Sequence, residues 1–201
     1  MNILLIDDHA LFVKSLEFAL EDYDEIENFY TIKDIDKVME VISKKNLDII
    51  LIDINLNNMT SKNGLEIAKD IVAIYPEKKI VILTGYDLPV YRYEAKKIGV
   101  KGFLNKNITP DKLFKLLIHI NKGNSFFEGN VNFIEVLTKN EKQILQLLAE
   151  GYKRKNIAKL LHLSERTISN HIQNIFSKLN VTSSIEAVTK GIQLGYVQPI
   201  Y

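Results

Sequence analysis

Asp53 closes a run of four apolar residues, Ile49 to Ile52, and Asp7 and Asp8 close another, Ile3 to Ile6. Two further runs, Ile80–Leu83 and Gly102–Leu104, lead into Thr84 and, two residues on, Lys106. Three carboxylates, a hydroxyl and an ammonium thus each follow a strand-like run. Carboxylates brought together repel unless a cation or a proton offsets them. Oxygen-only donors of this kind suit Mg2+, which keeps several waters and binds phosphate oxygens. A carboxylate beside such an ion can act as nucleophile on a phosphoryl group. A lysine can pair with phosphate charge, and a threonine hydroxyl can bond a phosphate oxygen. The set points to phosphoryl transfer onto Asp53, with Asp7, Asp8 and Asp53 holding Mg2+. Taken singly, each residue has a plainer reading. Asp53 could cap the next loop or helix, Asp7 or Asp8 the first helix, and Lys106 could be a solvated surface lysine. His9, next to the acid pair, could be a ligand or a helix-start residue.

These groups share a pocket only if their strands end on one rim. Apolar runs recur at Ile3–Ile6, Ile26–Tyr30, Ile49–Ile52, Ile80–Leu83 and Gly102–Leu104. Helical spacing lies between them: Leu11, Phe12, Leu16, Ala19 and Leu20; Val38, Met39, Val41 and Ile42; Leu65, Ile67, Ala68, Ile71 and Val72. Pro89 suits the first turn of a fourth helix, and Thr109-Pro110-Asp111 opens a fifth that ends near Asn121, with Gly123 as its C-cap. Alternation of this kind predicts an α/β domain over residues 1–122, a five-stranded parallel, doubly wound, flavodoxin-like sheet. In strand order 2-1-3-4-5, strands 1, 3, 4 and 5 are neighbours, and ligands bind beyond their carboxyl ends.

Residues 123–137 read as a linker, with Gly, Asn and Ser marking a loop. Its three phenylalanines, Phe126, Phe127 and Phe133, argue against a free tether and are expected to pack on one or both domains. The segment 138–201 changes character. Thr138 and Glu141 form a capping box ahead of a helix carrying Ile144, Leu145, Leu147 and Leu148. A second helix spans Lys153–Leu161, a tight turn falls at His162-Leu163, and Ser164 caps a longer helix to about Leu179. A last helix, about Ser184 to Leu194, spaces Ile185, Val188 and Ile192 at three and four. Four short helices around such a turn predict an all-α helix-turn-helix domain.

Away from its apolar stripe, the third of these helices presents Arg166, Thr167, Ser169, Asn170, His171, Gln173, Asn174 and Lys178, with no acid after Glu165. Asn and Gln can bond adenine bidentately, and Arg and Lys hold phosphate or guanine. A neutral polar surface helix is the competing reading. Charge agrees with a polyanion partner. Residues 1–128 hold 17 Lys+Arg against 20 Asp+Glu, whereas 129–201 hold 9 against 5. The chain has no Cys, which excludes disulfides and thiolate metal sites. No apolar run approaches the roughly 20 residues of a membrane span. Met1–Asp8 is too short and acidic for a signal peptide, so a cytoplasmic protein with no membrane partner is expected.

Two resemblances emerge from these motifs. Residues 1–122 resemble the receiver domain of two-component response regulators, through Ile-Leu-Leu-Ile-Asp7-Asp8-His9, Ile-Ile-Leu-Ile-Asp53-Ile-Asn55-Leu, Ile-Val-Ile-Leu-Thr84-Gly and Gly99-Val-Lys-Gly-Phe103-Leu-Asn-Lys106. The resemblance implies phosphoryl transfer from a histidine kinase to Asp53. It implies Mg2+ on Asp7 and Asp8 with the main-chain carbonyl of Asn55, and a rearrangement in which Thr84, Phe103 and Lys106 respond to the phosphate. Phe103 is equally readable as plain core. Residues 137–187 resemble the LuxR/NarL-type DNA-binding domain, through Leu137-Thr138-Lys-Asn-Glu141, Gly151, Ile157-Ala158, Leu163-Ser164-Glu-Arg-Thr167-Ile-Ser-Asn-His171-Ile, Lys178-Leu179-Asn-Val181 and Glu186-Ala187. By position, Ser169, Asn170 and Gln173 reach bases, and Lys155, Arg166, Thr167 and Lys178 contact phosphate. The last helix is implied to form a homodimer on double-stranded promoter DNA, through Ile185, Val188 and Ile192; burial within the monomer competes for each.

One departure stands out. The receiver pattern has Pro four residues after the acceptor and Gly about eight after it; here position 57 is Asn and the glycine is Gly64, eleven on. The Asn55–Asn63 loop is therefore about three residues longer and lacks Pro, which predicts greater mobility beside the pocket. Besides a phosphorylation-dependent regulator, two readings stand: a Mg2+-dependent phosphohydrolase, and a DNA binder whose receiver is never phosphorylated. A multiple-turnover enzyme is not expected, since the sequence has no Gly-rich phosphate loop, no second domain to close over a substrate and no evident base beyond the acid pair.

Overall fold

The computed structural model of the chain describes residues 1–85, 87–128 and 137–197. Its first unit is an α/β domain. Strands β1 (Asn2–Ile6), β2 (Asn28–Thr31), β3 (Ile49–Ile52), β4 (Lys79–Thr84), β5 (Gly102–Asn105) and β6 (Phe126–Phe127) form one sheet in order β2-β1-β3-β4-β5-β6. Every pairing is parallel. Helices α1 (Ala10–Leu20), α2 (Val38–Lys44), α3 (Gly64–Ile74), α4 (Pro89–Ile98) and α5 (Pro110–Asn121) alternate with the first five strands.

The central strands are apolar throughout because both faces are covered. Ile3–Ile6, Ile49–Ile52 and Ile80–Leu83 are fully buried. Ile3, Leu5, Ile49, Leu51, Val81, Leu83 and Leu104 form one face, packed on Leu16 and Leu20 of α1 and Leu113, Leu117 and Ile120 of α5. The opposite face carries Ile50, Ile52, Ile80, Ile82 and Phe103, and α3 packs against β4 on the strength of Leu65, Ile67, Ala68 and Ile71. Each such side chain contributes about 1.5–3 kcal/mol on burial. That is what fixes the strand ends relative to one another.

The sheet has six strands, not the expected five. β6 lies inside the segment read as linker, so the receiver sheet extends past residue 122. Gly123 at φ +95° turns the chain at the end of α5, and the Phe126 N–H donates to the Lys101 carbonyl. Phe127 then pairs with Phe103 on the otherwise open edge of β5. A two-residue strand has no periodicity to read; only its aromatic residues signalled it. The expectation for Phe133, and the linker residues 129–136, lie outside the described residues. β2 starts two residues later than its apolar run, because Ile26 N–H bonds Tyr23 O in a turn.

The second unit holds α6 (Lys139–Ala149), α7 (Arg154–Leu160), α8 (Glu165–Leu179) and α9 (Ser184–Leu194). Ile144, Leu145, Ile157, Ala158, Ile168, Ile172, Ile175, Leu179 and Ala187 make its core. The expected capping box is present: Thr138 N–H donates to Glu141 Oε2 at 2.7 Å, and Glu141 N–H donates to Thr138 Oγ1 at 3.3 Å. The α7–α8 turn is set by His162 at φ +53° and by Leu163 N–H donating to Ala158 O at 2.9 Å. On α9 the buried face is Ala187 and Gly191; a Cβ on Gly191 would lie 2.8 Å from Leu145 Cδ2. Ile185 is 81% exposed and Ile192 42%, while Val188 packs partly on the core.

Candidate functional site

β1, β3, β4 and β5 end on one rim, as the register dictates: Ile6 is opposite Ile52, Ile52 opposite Ile82, and Thr84 opposite Asn105. Thr84 closes β4, and the residues just past β1, β3 and β5 bring Asp7, Asp8, Asp53 and Lys106 to the same rim. Asp7 is 4% exposed, Asp53 2%, and Thr84 is fully buried. Lys106 Nζ lies 2.7 Å from Asp53 Oδ2 and 2.7 Å from Asp7 Oδ2. One ammonium thus bridges two buried carboxylates. Its other side rests on the Phe12 ring, 4.5 Å from the centroid. Lys106 is therefore no solvated surface lysine, and Asp53 does not cap a helix; that role falls to Asn63, in a capping box with Glu66. Asp7 accepts from the His9 N–H at 2.9 Å, at the start of α1.

One cation against three carboxylates leaves negative charge uncompensated. Asp53 Oδ1 is buried with no hydrogen-bond partner. Asp8 Oδ1 and Asp7 Oδ2 also lack hydrogen bonds, although each touches a basic nitrogen. His9 Nδ1 stands 2.9 Å from Asp8 Oδ1, 3.3 Å from Asp7 Oδ1 and 3.8 Å from Asp53 Oδ2. Donor atoms of Asp7, Asp8, His9 and Asp53 all lie within 4.8 Å of one another. Buried carboxylate oxygens short of hydrogen-bond donors, in a cluster of this size, fit a hard dication such as Mg2+.

The loop after Asp53 departs from the receiver pattern in length but is anchored. Leu56 is buried, and its carbonyl accepts from Met59 N–H at 2.8 Å and Thr60 N–H at 2.9 Å. Asn58 N–H donates to Asp8 Oδ2 at 3.0 Å, and Gly64 N–H to Ile54 O at 2.9 Å. Gly64 has no substitute here: a Cβ would fall 1.8 Å from the Asp53 carbonyl oxygen. Phe12, Asn58 and Gly64 were missed as site residues. Phe12 is indistinguishable in sequence from other apolar positions of α1. The displaced glycine was the signal available for the close approach. Phe103 is buried in β5, with the Arg92 guanidinium 6.0 Å from its ring centroid and Arg92 paired with Asp87.

In the second unit, Lys155, Arg166, Asn170 and Gln173 are exposed. Arg166, Asn170 and Gln173, at spacings of four and three, share one side of α8. Thr167 and Ser169 are half-buried; Thr167 N–H donates to the Ser164 cap at 3.0 Å, and Ser169 Oγ donates to Glu165 O at 2.9 Å. Lys178 is different. Its Nζ sits 2.8 Å from Oε2 of Glu141, whose side chain is 3% exposed. Burial alone would raise the Glu141 carboxyl, but the bonds from Lys178 and Thr138 prevail and hold it below its ordinary value. Lys178 therefore ties α8 to α6 in this structure, a function the helical pattern did not reveal.

Comparison with known proteins agrees with both units. Residues 3–118 match the response regulator receiver domain, and residues 135–190 match the luxR family of bacterial regulatory proteins. The chain is 30% identical over 205 residues to the transcriptional regulatory protein ComA of Bacillus subtilis, covering 93% of this chain and 95% of that protein. It is 28% identical over 228 residues to the transcriptional regulatory protein DegU of Brevibacillus brevis, covering 98% and 95%. In fold it is similar to RcsB from Salmonella enterica serovar Typhimurium, solved bound to a promoter with the phosphomimetic BeF3−, at TM-score 0.68 and 23% identity over 97% of this chain and 98% of that one. Among the described residues, no helix is long and apolar enough to cross a membrane. The chain belongs to the response regulators that join a receiver domain to a LuxR-family DNA-binding domain, and is a DNA-binding transcription regulator of a two-component system.

Proposed function

We propose that the receiver accepts a phosphoryl group on Asp53 from a phosphohistidine of a partner histidine kinase, and that this event controls promoter binding by α8. The observation that carries the reading is Asp53 Oδ1, a buried carboxylate oxygen with no hydrogen-bond partner beside two further carboxylates and one bridging lysine. Asp53 Oδ1 attacks phosphorus, an O–P bond forms, and the P–N bond breaks as the kinase imidazole leaves. Asp7, Asp8, Asp53 and the main-chain carbonyl of Asn55 would hold Mg2+, which when bound would supply positive charge against the carboxylates and the phosphoryl oxygens. Lys106 moves its pairing from Asp53 Oδ2 to a phosphoryl oxygen, and the Thr84 hydroxyl donates to another. Phe103, on the strand that ends one residue before Lys106, takes part in the rearrangement as the switch residue.

The readout is DNA. Ser169, Asn170 and Gln173 read bases, while Lys155, Arg166 and Thr167 hold phosphates. Lys178 reaches phosphate only by sharing its charge with Glu141. The exposed Ile185 and Ile192, with Val188, form a homodimer contact on DNA, setting half-sites about one helical turn apart. RcsB, similar in fold, is solved bound to a promoter, which supports DNA as the readout. Residues 138–201 form the DNA-binding domain, joined to the receiver by the segment after β6, in a cytoplasmic protein.

The test mixes the full chain with acetyl phosphate and Mg2+ and follows its intact mass. The expected result is a gain of one phosphoryl group in wild type and none in Asp53→Ala. A gain in the variant would overturn the site; sustained release of phosphate over many turnovers would favour a phosphohydrolase.

A further inference from the structure

His9 contributes the nitrogen to a cluster of possible donor atoms from Asp7, Asp8, His9 and Asp53, all within 4.8 Å of one another. We propose that its imidazole Nδ1 is a direct ligand of the metal held by Asp7, Asp8 and Asp53. The pocket then takes an imidazole-preferring dication, of the Ni2+ and Co2+ kind, more tightly than its carboxylates alone allow. The proposal rests on the acidic pocket being a metal site, as in the phosphoryl-acceptor reading above, and adds a donor and a metal preference to it.

The geometry carries it. Adjacent donors on an octahedron of about 2.1 Å radius are about 3.0 Å apart, and opposite ones about 4.2 Å. Nδ1 stands 2.9 and 3.3 Å from oxygens of Asp8 and Asp7, close to the adjacent separation, and 3.8 Å from an oxygen of Asp53, between the two. The His9 backbone N–H donates to Asp7 Oδ1 at 2.9 Å, which holds the backbone beside the carboxylates at the entry to α1. The His9 side chain is 53% exposed while those of Asp7 and Asp8 are 0% and 2% exposed. The imidazole thus forms the solvent side of the site, where a hydrated ion enters. Asp53 Oδ1, buried and unpartnered, points to a ligand independently of His9. Imidazole nitrogen favours later first-row dications, whereas Mg2+ is indifferent to it and prefers oxygen.

The experiment is calorimetric titration of the full chain with NiCl2 and, separately, MgCl2, for wild type, His9→Ala and Asp8→Asn. His9→Ala should weaken Ni2+ by about tenfold or more while Mg2+ affinity stays within about twofold. Asp8→Asn should weaken both. Ni2+ affinity equal in wild type and His9→Ala overturns the proposal, as does a proportional loss of Mg2+. Those results leave the acceptor reading intact if wild type still binds Mg2+ and Asp8→Asn does not. Failure of wild type to bind either ion removes both.

Discussion

Gly64→Ala is the sharpest single perturbation of the acceptor pocket. The added methyl carbon would lie 1.8 Å from the Asp53 carbonyl oxygen, 2.7 Å from its carbon and 3.0 Å from Ile52 Cγ2. An ordinary contact needs about 3.4 Å or more, so the start of α3 and the end of β3 must separate by more than 1 Å. Both obstacles at Asp53 are backbone and cannot swing aside. Overpacking of this kind costs about 1–3 kcal/mol, toward the upper end where backbone must move. Displacement also breaks the Gly64 N–H bond to Ile54 O and shifts Asp53 against Lys106 and the acid pair. A misplacement of about 1 Å in a reacting group costs on the order of a hundredfold in rate. Urea denaturation should therefore show a lower midpoint, and phosphorylation by acetyl phosphate should slow by more than tenfold under conditions where the variant is folded. Gly85→Ala is the control: it neighbours Thr84, and a Cβ there meets nothing within 4 Å. A Gly64→Ala protein with wild-type midpoint and wild-type phosphorylation rate would show that α3 and β3 are not held at this distance around Asp53.

Other outcomes follow from the second unit. Lys178→Met should destabilise the helical domain by about 3–5 kcal/mol, because it takes a cation from the Glu141 carboxylate, whose side chain is 3% exposed. Glu141→Gln should cost less, since the Lys178 side chain is 20% exposed and keeps access to water, and the double variant should recover much of the Lys178→Met loss; strict additivity in chemical denaturation would contradict the pairing. The depressed Glu141 carboxyl gives the sign of the pH response: its contribution is present above its unfolded value and is lost as pH falls through the lower folded value. Denaturant midpoints of the helical domain should accordingly fall below about pH 4, and Glu141→Gln should flatten that fall. Gln173→Ala should relax sequence preference at one base pair by about 1–3 kcal/mol, whereas Arg166→Ala should weaken all sequences alike and reduce the salt slope by about one. Ile185→Glu, at an 81% exposed position, should leave folding unchanged and abolish cooperative occupancy of paired half-sites in footprinting.

Long, strongly patterned elements were legible from the residues. β3 could be read as Ile49–Ile52 because burial on both faces demands an unbroken apolar run, and α8 because its stripe from Ile168 to Leu179 has no interruption. The polar residue just past each strand then located the pocket, since a parallel sheet aligns those ends. What escaped was long-range or small. β6 is two residues long and exists because β5 offers an open edge. The Glu141–Lys178 pair spans 37 residues, and nothing in either local pattern announces it. Lys178 sits where a phosphate contact is expected by position, yet Glu141 holds it against the core. Ile185 and Ile192 carry helical spacing, but the face that packs is Ala187 and Gly191, because α6 approaches too closely for larger side chains.

If phosphorylation of Asp53 controls DNA binding at α8, fluorescence anisotropy on a labelled promoter fragment will register it. Wild-type protein should bind about tenfold or more tightly after treatment with acetyl phosphate and Mg2+, a gain typical of coupled sites. Asp53→Ala should bind identically with and without the phosphodonor. Equal affinity of treated and untreated wild type, or an undiminished response in Asp53→Ala, would rule out that control.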